Sequence, residues 1–118
     1  GMNSGSILLD AFGGAIPRVA PADTAFVHRN ALFSCQYLVG WPENAGAEID
    51  ARGTSWMRDF RLEMRPHSSG GAFVNYIDPD LADWQHAYYG ANYDRLVRVK
   101  AAYDPHGLFK IPQGIPVA

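Results

Sequence analysis

The chain has a single cysteine, Cys35, so no internal disulfide can brace it, and a reducing, cytoplasmic setting is the default expectation. Charge of one sign is also lacking. With 10 Lys and Arg against 12 Asp and Glu, the formal net charge is −2. That balance excludes the basic footprint that nucleic acid or an anionic membrane surface would require. Long apolar runs are missing too: none nears the roughly 18 residues of a membrane span. No basic stretch leads into an apolar one at the start of the chain, so no export signal is visible, and Gly1 before Met2 reads as a tag scar.

Several chemical signatures are absent. There is no Gly-x-Gly-x-x-Gly or Walker sequence to cradle a phosphate, and no Gly-x-Ser-x-Gly elbow to present a nucleophile. The four histidines, His28, His67, His86 and His106, are far apart, so no metal site is expected. Cys35 lacks a local base and reads as a small buried hydrophobe.

What remains is a globular composition, 47% hydrophobic and 19% charged, in 118 residues. This is enough for one domain spanning residues 1–118. Residues 6–12 and 31–39 are apolar runs closed by Gly13-Gly14 and by Gly40-Trp41-Pro42, and they read as strands. On the second, Ser34, Gln36 and Leu38 share one face and Phe33, Cys35, Tyr37 and Val39 the other. The mixed face suits either a pocket lining or a half-exposed strand. Residues 44–64 carry Ile49, Trp56, Phe60 and Met64 near the 3.6 spacing of a helix, with Gly53 on the same stripe. Pro66 ends that helix. Residues 71–77 read as a third strand, and residues 81–89 and 91–103 as two helices, the latter with Leu96, Val99 and Tyr103 inward. The expected fold is therefore α+β: a small antiparallel β-sheet with helices packed on one face.

The region from Gly71 to Lys110 is chemically the richest. Of six tyrosines, Tyr76, Tyr88, Tyr89 and Tyr93 fall here close together, Tyr103 follows, and Asn75 and Asn92 sit beside tyrosines. A wall around a planar ligand with a polar edge needs such amides and hydroxyls, whereas a core needs only apolar area. Tyr76 is the candidate for chemistry. A phenol, with a reference pKa near 10, becomes a base only where a neighbour stabilises its anion. Asn92 follows a glycine at a helix junction and suits either a cap or a ligand contact.

The order Asn75-Tyr76-x-Asp78, then Tyr88 to Lys100, then Tyr103-Asp104-Pro105 with Phe109, then Pro112-Gln113-x-Ile115-Pro116, resembles the C-terminal signature of the berberine-bridge-enzyme-like flavin oxidases. Gly13 to Val19 and Thr24 to Arg29 resemble the segments before it more loosely. The resemblance implies FAD as cofactor, with Tyr76 over the flavin as the base that takes a substrate hydroxyl proton. It implies Asn75, Phe73 and Asn92 as cofactor-binding residues.

Three departures accompany it. Phe73 stands where relatives often carry a second tyrosine. Ser34 and Gln36 stand in the strand where plant members carry a glutamate. The flavin-binding domain, with its His and Cys attachment points, is absent. By this resemblance the chain supplies one wall of the FAD and substrate site and is inactive alone. A separate flavin-binding domain or chain is then the expected partner. The alternative is a stand-alone, non-catalytic binding or oligomerisation module. A homo-oligomer is expected in either case, because a short open sheet leaves an edge and an apolar face uncovered.

Overall fold

A computed structural model describes residues 4–117. The fold is α+β, with two antiparallel strands, β1 (Ser4–Ala11) and β2 (Phe33–Gly40), and three α-helices, α1 (Ala47–Met64), α2 (Trp84–Tyr89) and α3 (Tyr93–Tyr103). The described residues group into two compact units. The first comprises residues 4–13 and 31–69, and the second residues 14–30 and 70–117.

In the first unit β1 pairs with β2 so that Ile7 lies opposite Tyr37 and Leu9 opposite Cys35. The face made of Gly5, Ile7, Cys35, Tyr37 and their neighbours receives α1. Phe60 meets the Tyr37 ring edge-on at 5.1 Å and stacks on Trp56 at 5.2 Å. Trp56 reaches back over Gly5, where an added Cβ would lie 2.8 Å from the indole. Gly53, on the predicted apolar stripe, is buried, and an added Cβ would lie 2.5 Å from the Trp41 ring. The glycine on that stripe thus marks a close approach, at the cost of some helix propensity. Burial raises the Tyr37 phenol above its ordinary pKa, aided by Cys35.

Residues 71–77 are not a strand, which corrects the sequence reading. Their backbone donors are taken by partners other than a sheet ladder. The Ala72 N–H donates to the Ala87 carbonyl at the end of α2, the Tyr76 N–H closes a turn onto the Phe73 carbonyl, and the Asp78 N–H goes to the Tyr88 hydroxyl. The first of these also satisfies a helix-end carbonyl that would otherwise lack a partner. Helix packing on the sheet within a unit is the work of α1, while α2 and α3 pack on one another in the second unit.

In the second unit the inward side of α3 is set by polar groups as much as by apolar ones. Lys100 donates to Asp104 and to the Phe109 carbonyl (2.7 Å), and the Asp104 carboxylate accepts the N–H groups of Leu108 (2.7 Å) and Phe109 (3.0 Å). The inner stripe therefore runs through Leu96, Val97 and Lys100, leaving Val99 44% and Tyr103 86% exposed, contrary to the apolar periodicity.

Candidate functional site

The residues singled out for chemistry all lie in the second unit. Phe73 to Ile77 form a tight turn closed by the Tyr76 N–H on the Phe73 carbonyl at 3.0 Å. Asn75, Tyr76 and Ile77 point out of it and are exposed, Tyr76 by 46%. Phe73 is half-buried beneath them, and its ring meets Tyr76 edge-on at 5.6 Å. The turn thus brings Phe73, Asn75 and Tyr76 together.

Asn92 stands apart from the turn. It is buried, and its side-chain nitrogen donates to the carbonyls of Pro21 (2.7 Å) and Thr24 (3.0 Å). It occupies the N-cap position of α3 without making a side-chain capping bond. Arg95 adds a bond from Nη1 to the Ala22 carbonyl at 2.9 Å, so α3 grips the loop at three carbonyls. Sequence position suggested a cap for Asn92 but gave no sign of partners some seventy residues away.

The other tyrosines divide. Tyr88 is core, 2% exposed, with its hydroxyl accepting from the Asp78 N–H and donating to Gln113, both at 2.9 Å. Gln113 in turn donates to the Asp78 carbonyl at 2.8 Å. Tyr89 and Tyr93 are half-buried, and burial first, then Tyr88 and Tyr93, raises the Tyr89 phenol above its ordinary pKa. The density of tyrosines is therefore largely a packed cluster with Trp84.

Two residues of the loosely matching segment Thr24 to Arg29 belong to the surroundings of the turn. The Phe26 ring meets Phe73 at 5.9 Å and His28 at 5.4 Å, both edge-on. His28 Nε2 is buried without a hydrogen-bond partner. Burial holds the imidazole below its ordinary pKa, outweighing the opposing effect of its hydrogen bonds to the backbone carbonyls of Ala72 and Tyr88. Among the described residues no cluster of three His, Cys, Asp or Glu side chains is placed to hold a metal, and no helix is long and apolar enough to cross a membrane.

Residues 72–116 match the family model described as "Berberine and berberine like". Over 111 residues, covering 94% of this chain, it is 37% identical to an uncharacterised FAD-linked oxidoreductase, YgaK, of Bacillus subtilis. The chain belongs to the berberine and berberine-like family. The berberine bridge enzyme-like protein D-1 of Nicotiana tabacum is 35% identical over 144 residues, covering 96% of this chain. The wild-type BBE-like 1 structure from Physcomitrella patens superposes with a TM-score of 0.84 at 34% identity, covering 97% of this chain and 24% of that one. The berberine-like chain spans about a quarter of the length of the curated relatives it matches, 24% of YgaK and 25% of D-1.

FAD is the cofactor named for YgaK. The residues present fit one edge of a flavin: an exposed amide, phenol and aliphatic side chain stand at successive positions on a turn backed by an aromatic ring. They do not enclose one. A hollow of about 480 Å³ is lined by Lys100, His106, Phe109, Lys110 and residues of the tail, and does not include the turn. A tight ligand of this size needs most of its surface buried.

Proposed function

We propose that this chain is part of a flavin-dependent oxidoreductase, supplying one wall of the FAD and substrate site and a tyrosine base. The observation that carries the reading is the Asn75-Tyr76 turn. A phenol stands exposed on a rigid, hydrogen-bonded corner inside the matched segment, with no hydrogen-bond duty in the fold comparable to that of Tyr88. As its phenolate, an anion that a neighbour in the completed site must stabilise, Tyr76 takes the proton of a substrate hydroxyl at Oη and becomes the neutral phenol. Asn75 meets the cofactor rim, and Phe73 supports both from below. Asn92 acts on the same site indirectly, by fixing the loop of residues 21–24 against α3. FAD, when bound, supplies the two-electron acceptor for the carbon that loses its hydride. Pyrophosphate recognition, which wants backbone N–H donors at a glycine-rich loop or helix start, falls to a separate flavin-binding domain or chain.

The test is a visible spectrum. Purified alone, the chain takes up little FAD on titration. Mixed or co-expressed with a flavin-binding partner, it forms a yellow complex. Tight, stoichiometric FAD binding by the isolated chain overturns the one-wall reading.

A second reading, a non-catalytic module that assembles with copies of itself, draws on exposed apolar side chains. Leu108, Phe109 and Ile111 are 80%, 76% and 62% exposed, more than isolated surface residues require. Light scattering at tens of micromolar tests this reading, since it demands a dimer or larger without flavin and a strict monomer overturns it.

A further inference from the structure

We propose that Arg29 is a positioning residue for Tyr76, acting through the rings of Phe26 and Phe73; the inference rests on the reading of Tyr76 as the base. All three guanidinium nitrogens of Arg29 donate to groups around it. Nε donates to the Phe26 carbonyl (3.2 Å), Nη1 to the Ile16 carbonyl (3.3 Å) and Nη2 to Thr24 Oγ1 (2.6 Å). Its central carbon lies 4.9 Å from the centre of the Phe26 ring, within cation–π range. The planar fork thus fixes both the backbone and the ring face of Phe26, which a lysine's single point charge cannot do.

From Phe26 the contact passes ring to ring. Phe26 meets Phe73 at 88° and Phe73 meets Tyr76 at 80°, both edge-to-face geometries that restrict rotation of the partner. The turn bond from the Tyr76 N–H to the Phe73 carbonyl fixes the backbone at the same place. The far end of the relay is anchored as well, because Asn92 and Arg95 hold the carbonyls of Pro21, Ala22 and Thr24. Thr24, held by Asn92 at its carbonyl and by Arg29 at its hydroxyl, joins the two anchors. Tyr76 is thereby the exposed end of a fixed aromatic series. A base displaced by about 1 Å can lose roughly 10²-fold in rate, so this support has a function beyond stability.

The experiment is NMR on the intact 118-residue chain, with the Tyr76 ring resonances assigned, for wild type, Arg29→Ala, Arg29→Lys and Phe26→Leu. All three variants lose or weaken the ring-to-ring Overhauser contact between Tyr76 and Phe73 and average the Tyr76 side-chain rotamers. The ring contact of Tyr37 with Phe60 in the first unit stays in place as a control for the rest of the fold. An Arg29→Ala chain that keeps its fold and leaves the Tyr76 contact and rotamer unchanged overturns the proposal. If Arg29→Ala does not fold, Phe26→Leu decides in the same way. In a flavin-loaded assembly Arg29→Lys lowers turnover roughly 10²-fold with flavin content unchanged. If Tyr76→Phe leaves turnover untouched while the NMR effects are present, the base reading fails and the coupling of Arg29 to Tyr76 stands. If the NMR effects are missing while Tyr76→Phe is slow, the reverse holds.

Discussion

The phenol oxygen of Tyr88 lies 2.9 Å from Oε1 of Gln113, and this bond ties helix α2 to the tail of the chain. Gln113 adopts a positive φ of 54°, uncommon for a residue with a side chain, and it returns its own amide to the Asp78 carbonyl. The two side chains and the Asp78 backbone close a ring of hydrogen bonds directly behind the Asn75-Tyr76 turn in sequence. This is a satisfied, half-buried polar network around the buried Tyr88 ring, the kind whose partial removal is costly.

Tyr88→Phe removes the hydroxyl, and with it the acceptor of the Asp78 N–H and the donor to Gln113 Oε1, while the Gln113 amide keeps the Asp78 carbonyl. The expected loss is about 1–3 kcal/mol, the cost of an unsatisfied buried polar group, read as a lower urea midpoint at unchanged slope. A variant as stable as the parent would show that water replaces the phenol there.

Gly53→Ala tests the first unit. Helix propensity alone favours alanine by roughly 1 kcal/mol, yet a Cβ there meets the Trp41 ring at 2.5 Å. Overpacking of this kind typically costs about 1–3 kcal/mol, so the net change is destabilising or close to neutral. Gly53→Ala combined with Trp41→Leu then recovers the propensity gain. A stabilised single variant would mean that Trp41 moves freely.

Two groups set the acid response. The Lys100 ammonium, followed by the N–H groups of Leu108 and Phe109, holds the Asp104 carboxyl down at about 2, against 3.8 unperturbed. Its folded pKa is depressed, so its stabilisation is present above pH 3.8 and disappears as the pH falls towards 2. His28 is depressed below 6.5 by burial, so its contribution begins to fall below pH 6.5 as the unfolded chain takes up a proton first. Urea unfolding from pH 8 to pH 2 shows both windows. Asp104→Asn flattens the lower one and His28→Leu the upper one, and neither affects the other.

Most of the first unit was legible because its signals are local. The glycine-closed apolar runs 6–12 and 31–39 and the stripe Ile49, Trp56, Phe60, Met64 each specify an element without outside help. The second unit was misread where long-range polar partners decide the outcome. Residues 71–77 have the composition of a strand, but the N–H groups of Ala72 and Tyr76 are claimed by Ala87 and Phe73, and that of the next residue, Asp78, by Tyr88. Tyr103 falls on an apolar period, but Lys100 and Asp104 turn the helix so that it faces out. Of the candidate site, Phe73, Asn75 and Tyr76 could be named from their order in the chain. Phe26, His28 and Arg29 could not, since nothing in their local sequence reports the ring contact from Phe26 to Phe73.

The central claim is that the Tyr76 hydroxyl is the base, and the rate of flavin reduction in a reconstituted flavin-containing assembly tests it most directly. Tyr76→Phe keeps the ring and its edge contact with Phe73 while removing the hydroxyl. The account predicts a rate lower by roughly 10²–10⁴-fold, the usual contribution of a general base, with flavin content unchanged. Reduction by Tyr76→Phe at the parental rate would contradict it.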